Sequence, residues 1–233
     1  NMSHEIRTPM NAIIGLTHLL RRDLGDPAAL SKLGRIDEAA HHLLCIINDI
    51  LDLSKIEAGK MRLSPALIDP VDAVDGAVKL ARRRCADREI ALTFDPDDDL
   101  PDINGDHRAI KQMTFNLITN SIKFTDAGGE IRVTIVQQGP YVVIRVEDNG
   151  IGIAPEDIPR LAEPFEQVTT PEAKERNVRG TGLGLALTKS FAEMHGGYIT
   201  IESTLGVGTT VSIFLPTIKS TVASNRTPED IAV

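Results

Sequence analysis

The chain has 233 residues, with 25 Lys and Arg against 33 Asp and Glu, so its formal net charge is −8. This length suits one large or two modest domains, and the acidic balance argues against a broad basic face for nucleic acid or anionic lipid. Hydrophobic residues make up 42% of the chain but aromatic residues only 3%. We therefore expect a core of Leu, Ile, Val and Ala, and no nucleic-acid partner.

Two cysteines, Cys45 and Cys85, are too few for a disulfide framework and favour a reducing compartment. No apolar run reaches the roughly 18–20 residues that span a bilayer. A dense motif begins within three residues of Asn1, which indicates a fragment of a longer protein. We expect this fragment to be cytoplasmic, with membrane attachment only through missing N-terminal regions.

Residues 1–60 are predicted to form two helices, because Leu-Gly-Asp-Pro at Leu24–Pro27 is a stop signal followed by a helix start. In the second helix, apolar residues recur at steps of three and four, as in a coiled-coil seam: Leu33, Ile36, Ala40, Leu43, Ile47 and Ile50. The short connection predicts an antiparallel hairpin. Its apolar stripe is too broad for one pair of helices, which favours a homodimeric four-helix bundle. The alternative is a hairpin that docks on the rest of its own chain.

The remainder is predicted to be a mixed sheet with helices covering one face, so the fold class is α+β: a helical hairpin followed by an α/β sandwich. The predicted elements are a strand Met61–Ile68, a helix Pro70–Asp87, a strand Ile90–Phe94, an acidic loop Asp95–Asp102, a helix Asp106–Phe124, strands Ile131–Gln137 and Tyr141–Glu147, a loop-rich stretch Asp148–Gly184, a helix Leu183–His195, and strands Tyr198–Ser203 and Thr210–Leu215. The polar tail 218–233 is predicted to be flexible.

The first chemical constellation is His4 with Glu5 and Thr8. On a helix, His4 and Thr8 share a face one turn apart, and His4 is predicted to face solvent. A neutral imidazole is a usable nucleophile near pH 7, and Glu5 can accept a hydrogen bond from one ring nitrogen. A surface His beside a Glu is also common without any function, so this motif alone leaves both readings open.

The second constellation is a phosphate and adenine pocket in separate pieces. Asn116, Asn120 and Lys123 form one polar stripe on a helix, where a carboxamide oxygen can ligate Mg²⁺ and Lys can attract phosphate. The alternative is a solvated helix face. Asp148 follows a strand and precedes Gly150, so its carboxylate could accept a hydrogen bond from an exocyclic amine. Asp-Asn-Gly is also simply a good turn.

Glycines open the last predicted helix at Gly180–Gly184, where backbone N–H groups at a helix N-terminus can bind an anion. The spacing fits neither a Rossmann fingerprint nor a P-loop. Gly206 and Gly208 with Thr209 form another glycine pair, for which a plain hairpin turn is the alternative.

Together these segments resemble the catalytic core of a bacterial sensor histidine kinase. The boxes that carry the resemblance are the phosphoacceptor motif Met2–Pro9, the N-box Asn116–Thr125, the first glycine box Asp148–Ile153, the F-box Glu163–Phe165, the second glycine box Gly180–Gly184 and the last glycine box Gly206–Thr209. The second half is similar to the wider ATPase superfamily that includes DNA gyrase and mismatch-repair ATPases. Ser121 stands where the N-box commonly carries Ala, which we expect to be a minor change.

The resemblance implies that ATP phosphorylates His4, with Glu5 as general base and Thr8 orienting water for a phosphatase activity. It implies Mg²⁺ on Asn120 and a nucleotide site made of Asn116, Asn120, Lys123, Asp148, Gly150, Gly152, Ile153, Phe165, Arg179, Gly180, Thr181, Gly182, Leu183, Gly184 and Thr209. The phosphoryl group would pass to an aspartate of a response-regulator receiver domain. The implied domains are the hairpin 1–60, the ATP-binding domain 61–217 and the tail 218–233. A non-catalytic dimerisation and regulator-binding module is the alternative.

Overall fold

The computed structural model describes residues 2–23, 27–166 and 181–218. The chain divides into two compact units, residues 1–61 and 62–233, which are described separately. The predicted flexible tail, apart from residue 218, lies outside the described residues. Among the described helices, none is long and apolar enough to cross a bilayer.

The first unit is a helical hairpin of α1 (Met2–Asp23) and α2 (Pro27–Glu57), which pack against each other. This confirms the two helices that the stop signal predicts. Gly59 ends α2 in the left-handed region at φ +63°, and the N–H of Lys60 donates to the carbonyl of Lys55 at 2.8 Å. Glycine favours this helix end because it has no Cβ to clash at positive φ.

The seam of α2 divides into two sets of side chains. Leu33 and Ala40 are 8% and 5% exposed, whereas Ile36 and Leu43 remain 47% and 45% exposed. The exposed set continues on both helices as Ile13, Leu16, Leu19, Leu20 and Ile50. The hairpin therefore buries only part of its apolar stripe and leaves a second apolar face exposed.

The second unit is built around a five-stranded mixed sheet with strand order β2-β4-β5-β7-β6. Its elements in chain order are β1 (Ala66–Ile68), α3 (Pro70–Ala86), β2 (Ala91–Pro96), β3 (Ile103–Gly105), α4 (His107–Phe124), β4 (Glu130–Gln138), β5 (Tyr141–Asp148), α5 (Gly184–Met194), β6 (Tyr198–Thr204) and β7 (Gly208–Pro216). β2 runs parallel to β4, and the other neighbours are antiparallel. The predicted mixed sheet and the α+β class are confirmed.

Two predictions about the short strands are wrong. The predicted strand Met61–Ile68 is a strand only over Ala66–Ile68, and the predicted acidic loop Asp95–Asp102 begins with the last two residues of β2. β3 was not predicted at all. β1 and β3 pair with each other over three residues, a length too short for an alternating pattern to be recognised, and Ile103 of β3 also forms a single antiparallel bridge with Thr217.

Three helices pack together beside the sheet, with α4 between α3 and α5. α4 buries a face whose members recur at helical spacing: Ile110, Met113, Leu117 and Ile118. Against it α5 buries Leu187 and Phe191, which are 0% and 1% exposed. As expected from the composition, aliphatic side chains dominate this core.

His195 links α4 to α5, at the N-terminus of α4 and the C-terminus of α5. The backbone N–H of Asp106, the N-cap of α4, donates to His195 Nε2 at 3.0 Å. His195 Nδ1 lies 2.7 Å from the carbonyl of Phe191 near the end of α5, so the proton of a neutral ring belongs on Nδ1. This bridge holds the N-terminus of α4 against the C-terminus of α5.

Candidate functional site

Asp148 stands at the end of β5 with both carboxylate oxygens held. Ser121 Oγ of α4 donates to Oδ2 at 2.7 Å, and the backbone N–H of Gly150 donates to Oδ1 at 3.1 Å. Burial raises the pKa of Asp148, although these hydrogen bonds and one from the backbone of Thr209 favour the ionised form. A carboxylate in this setting is oriented and partly desolvated, which makes it a selective acceptor for a ligand N–H group.

The two glycines of the loop after Asp148 lie so close to neighbouring backbone that a side chain at either position would not fit. A Cβ on Gly150 would lie 2.5 Å from the carbonyl oxygen of Phe124. Gly152 has φ +64°, and a Cβ there would lie 2.0 Å from the carbonyl oxygen of Thr204. Glycine is therefore required at both positions by close approach to backbone, and at Gly152 also by its conformation.

We expect Gly152→Ala to lower the free energy of unfolding of the second unit by about 2–4 kcal/mol, because it adds both a clash with Thr204 and positive-φ strain. Urea unfolding followed by circular dichroism measures this. Gly139→Ala is the matched control, since Gly139 has φ +58° but nothing within 4 Å of an added Cβ. Its expected cost is about 1 kcal/mol. Equal losses in the two variants would contradict the role of close packing.

A hydroxyl that sequence reasoning missed ties this loop to the β6–β7 hairpin. Ser203 Oγ accepts the N–H of Ile153 at 2.8 Å and donates to the carbonyl of Gly208 at 2.8 Å. Thr209 Oγ1 lies 2.9 Å from Ser203 Oγ. No sequence signal distinguishes Ser203 from other strand hydroxyls, because its partners come from a distant loop. The last glycine box is thus a hairpin turn that also supports the loop of the first.

The polar stripe of α4 is half-buried rather than fully solvated. Asn116 Nδ2 donates to the carbonyl of Gly184 at 3.3 Å, which links the stripe to the first residue of α5. Asn120 lies one turn further along α4. Lys123 places its Nζ 5.1 Å from the ring centroid of Phe124, and burial lowers the pKa of Lys123. The stripe therefore begins, at Asn116, beside the start of α5.

The start of α5 is connected to the F-box. The N–H of Phe165 donates to the carbonyl of Gly182 at 3.1 Å, and both residues lie at positive φ, +67° and +70°. A Cβ on Gly182 would lie 2.6 Å from the carbonyl carbon of Phe165. Thr181 Oγ1 accepts the N–H of Leu183 at 3.1 Å. The N–H groups of this helix start form a surface suited to an anion.

Some predicted residues cannot be placed. Arg179 and Gly180 lie outside the described residues, as do residues 167–178 of the predicted loop-rich stretch. His4 is in α1 one turn from Thr8, but the side chains of His4, Glu5 and Thr8 lie outside the described part. The predicted exposure of His4 and its contact with Glu5 remain predictions.

Comparison with protein families assigns both units. The family described as histidine kinase-, DNA gyrase B- and HSP90-like ATPase matches residues 105–219, and the His kinase A (phospho-acceptor) domain matches residues 1–59. The chain belongs to the bacterial sensor histidine kinases. Its second unit contains the region that matches the ATPase family model, which agrees with the resemblance carried by the sequence boxes.

Curated relatives of this kinase core include two proteins of Caulobacter vibrioides. The non-motile and phage-resistance protein is 46% identical over 93% of this chain, and the histidine protein kinase DivJ is 43% identical over 98%. The chain spans only 26% and 38% of their lengths. Among solved structures, full-length ShkA in complex with AMPPNP is 28% identical with a TM-score of 0.75, and the matched region covers 93% of this chain and 45% of that one.

Proposed function

We propose that this kinase core uses ATP to phosphorylate His4 and then donates the phosphoryl group to an aspartate of a response-regulator receiver domain. The observation that carries the proposal is the convergence of the nucleotide pieces around α4. Asp148, the loop of Gly150 and the start of α5 each contact this helix, through Ser121, Phe124 and Asn116. The phosphoacceptor motif in α1 belongs to the same chain.

The chemistry follows from these residues. Asp148 would accept a hydrogen bond from the amino group of adenine, while Lys123 and the N–H groups at the start of α5 would attract the phosphates. A ring nitrogen of neutral His4 would attack the γ-phosphorus as the bond to the β-phosphate oxygen breaks and ADP leaves. The proton on the other ring nitrogen would pass to Glu5 as general base. Phosphoryl transfer needs positioning and charge neutralisation more than covalent participation by the protein, and these residues supply both.

A divalent cation fits the donor set of α4. In the part of the chain that the structure describes, no group of three His, Cys, Asp or Glu could hold a metal ion. Carboxamide oxygens are hard donors that suit Mg²⁺, which usually shares its ligands with substrate phosphates. We place Mg²⁺ on Asn120, with Asn116 close by, where the ion would neutralise phosphate charge.

The exposed apolar face of the hairpin supports a homodimer through residues 1–60. A second copy that covers Ile36, Leu43 and their neighbours on α1 would complete a four-helix bundle. Thr8, one turn from His4, would orient water for dephosphorylation of the regulator. We assign residues 1–60 to the phosphoacceptor hairpin, 61–217 to the ATP-binding domain and 218–233 to a tail. This core would act in the cytoplasm, where ATP is available.

Incubation with γ-labelled ATP and Mg²⁺ tests the proposal. We expect labelled protein whose phosphate is stable to base and labile to acid, as phosphohistidine is, and no labelling when EDTA removes the metal. A purified receiver domain added afterwards should take up the label on an acid-stable aspartyl group. Nucleotide binding without any labelled protein would instead favour the non-catalytic dimerisation module.

A further inference from the structure

We propose that Ser121 is a positioning residue that sets the preference of the nucleotide site for an amino-bearing base, by holding the Asp148 carboxylate in its acceptor orientation. This inference rests on the proposed function, because it names what the ATP site selects. Ser121 is 6% exposed on α4, and its Oγ donates to Asp148 Oδ2 at 2.7 Å. A bond of this length to an ionised acceptor belongs to the strong class of hydrogen bonds.

Ser121 differs from the other hydroxyl residues of its helix. Thr114 and Thr119 donate to carbonyls of α4 itself, to Ile110 at 3.0 Å and to Phe115 at 2.9 Å. Such bonds to the preceding turn are the usual arrangement for Ser and Thr inside a helix. The Ser121 hydroxyl instead donates to the Asp148 carboxylate at the end of β5. It therefore contributes to the site and not to the hydrogen bonding within α4.

The charge state of Asp148 decides which base it accepts. An ionised carboxylate accepts from the amino group of adenine but opposes the carbonyl oxygen that guanine presents at the equivalent ring position. A protonated carboxyl could donate to that carbonyl. Because Ser121 donates to the carboxylate, it favours the ionised form and so disfavours guanine.

Few of the groups around Asp148 can keep its carboxylate ionised. Its neighbours across the sheet are Ile131 in β4 and Thr209 in β7, neither of which titrates. Glu147, the preceding residue of β5, raises the pKa of Asp148 by charge repulsion, as burial does more strongly. Ser121 opposes both effects from the α4 side.

The test measures binding of ATP and of GTP to Ser121→Ala by calorimetry over a pH series from about 8 down to about 4.5, which brackets a carboxyl with a raised pKa. We expect ATP affinity to fall about tenfold, since a hydrogen bond to a charged group is lost. The ratio of ATP affinity to GTP affinity should decrease. As the pH is lowered, ATP affinity should begin to fall at a higher pH than in the wild type. Ser121→Thr keeps the hydroxyl and should retain the wild-type ratio.

Thr119→Val is the matched control, because it removes a hydroxyl from the same helix that has no bond to Asp148. We expect its ratio of affinities and pH profile to equal those of the wild type. If Ser121 had a purely structural role, Ser121→Ala would lower ATP affinity and GTP affinity equally and leave the pH profile of ATP affinity unchanged. That result would overturn the inference. If the wild type itself fails to bind ATP, the proposed function fails, which is a separate outcome.

Discussion

Replacing His4 by Gln is expected to abolish phosphorylation of the protein by ATP, with at least a thousandfold loss of incorporated label. Gln keeps a polar side chain of similar reach but has no nucleophilic nitrogen, so the acceptor of the phosphoryl group is gone. ATP binding should be unchanged, because the nucleotide site belongs to the second unit. Labelling with γ-labelled ATP and calorimetry on the same preparation measure the two quantities.

His41→Gln is the matched control for this experiment. His41 lies exposed on α2 of the same hairpin, where its Nδ1 is 2.9 Å from the carbonyl of Asp37, and we assign it no role in phosphoryl transfer. We expect normal labelling of this variant. Label retained on His4→Gln, or lost equally from both variants, would contradict the assignment of His4.

Asp148→Asn is expected to weaken ATP binding about a hundredfold or more. The change is nearly isosteric, but an amide cannot accept hydrogen bonds on both sides, so one of the groups that donate to Asp148 would lose its acceptor. The variant should consequently also fail to phosphorylate His4. Calorimetric titration with ATP measures the loss, and Asp98→Asn, in the exposed loop after β2, is the control that should bind normally.

The pH dependence of ATP binding provides a second test of the role of Asp148. The pKa of Asp148 is raised by burial, so ATP affinity should fall as pH drops through that raised pKa and the acceptor is protonated. The contribution of the same group to folding stability has the opposite trend. A carboxyl whose pKa is higher in the folded state stabilises the unit most below its unfolded pKa, and that stabilisation is lost as pH rises through the folded pKa. Asp148→Asn should remove both dependences, and a variant with the wild-type pH profile of affinity would contradict the role of Asp148.

The helices and long strands could be predicted from the sequence because their signals are local. α1 ends at Asp23 and α2 begins at Pro27, as the stop and start signals predict, and helix α4 and strand β5 were likewise predicted from patterns within one element. β3 could not be predicted, since three residues carry no period and its partner β1 is distant in the chain. For the same reason the parallel pairing of β2 with β4 was beyond sequence reasoning.

The candidate site shows the same division. Asp148 and Gly152 could be recognised as residue types in motifs, but the reasons they are needed are contacts with Ser121 and Thr204 from other elements. Ser121 stands where the family pattern commonly has Ala, and only the structure shows that its hydroxyl bonds to Asp148. Ser203 carried no signal, because its three partners meet only when the β6–β7 hairpin folds onto the loop after β5.

The sequence by itself determined the family, the α+β class and the residue types of the chemistry, because motifs and hydrophobic periods are written in local order. Its acidic net charge of −8 does not argue against the proposed phosphate site, because backbone N–H groups and a single Lys could bind phosphate without a broad basic surface. The tertiary structure alone decided which oxygen of Asp148 is held by which donor, and which half of the α2 seam remains exposed. Those outcomes depend on atoms brought together from distant parts of the chain, and spacing along the sequence carries no record of them.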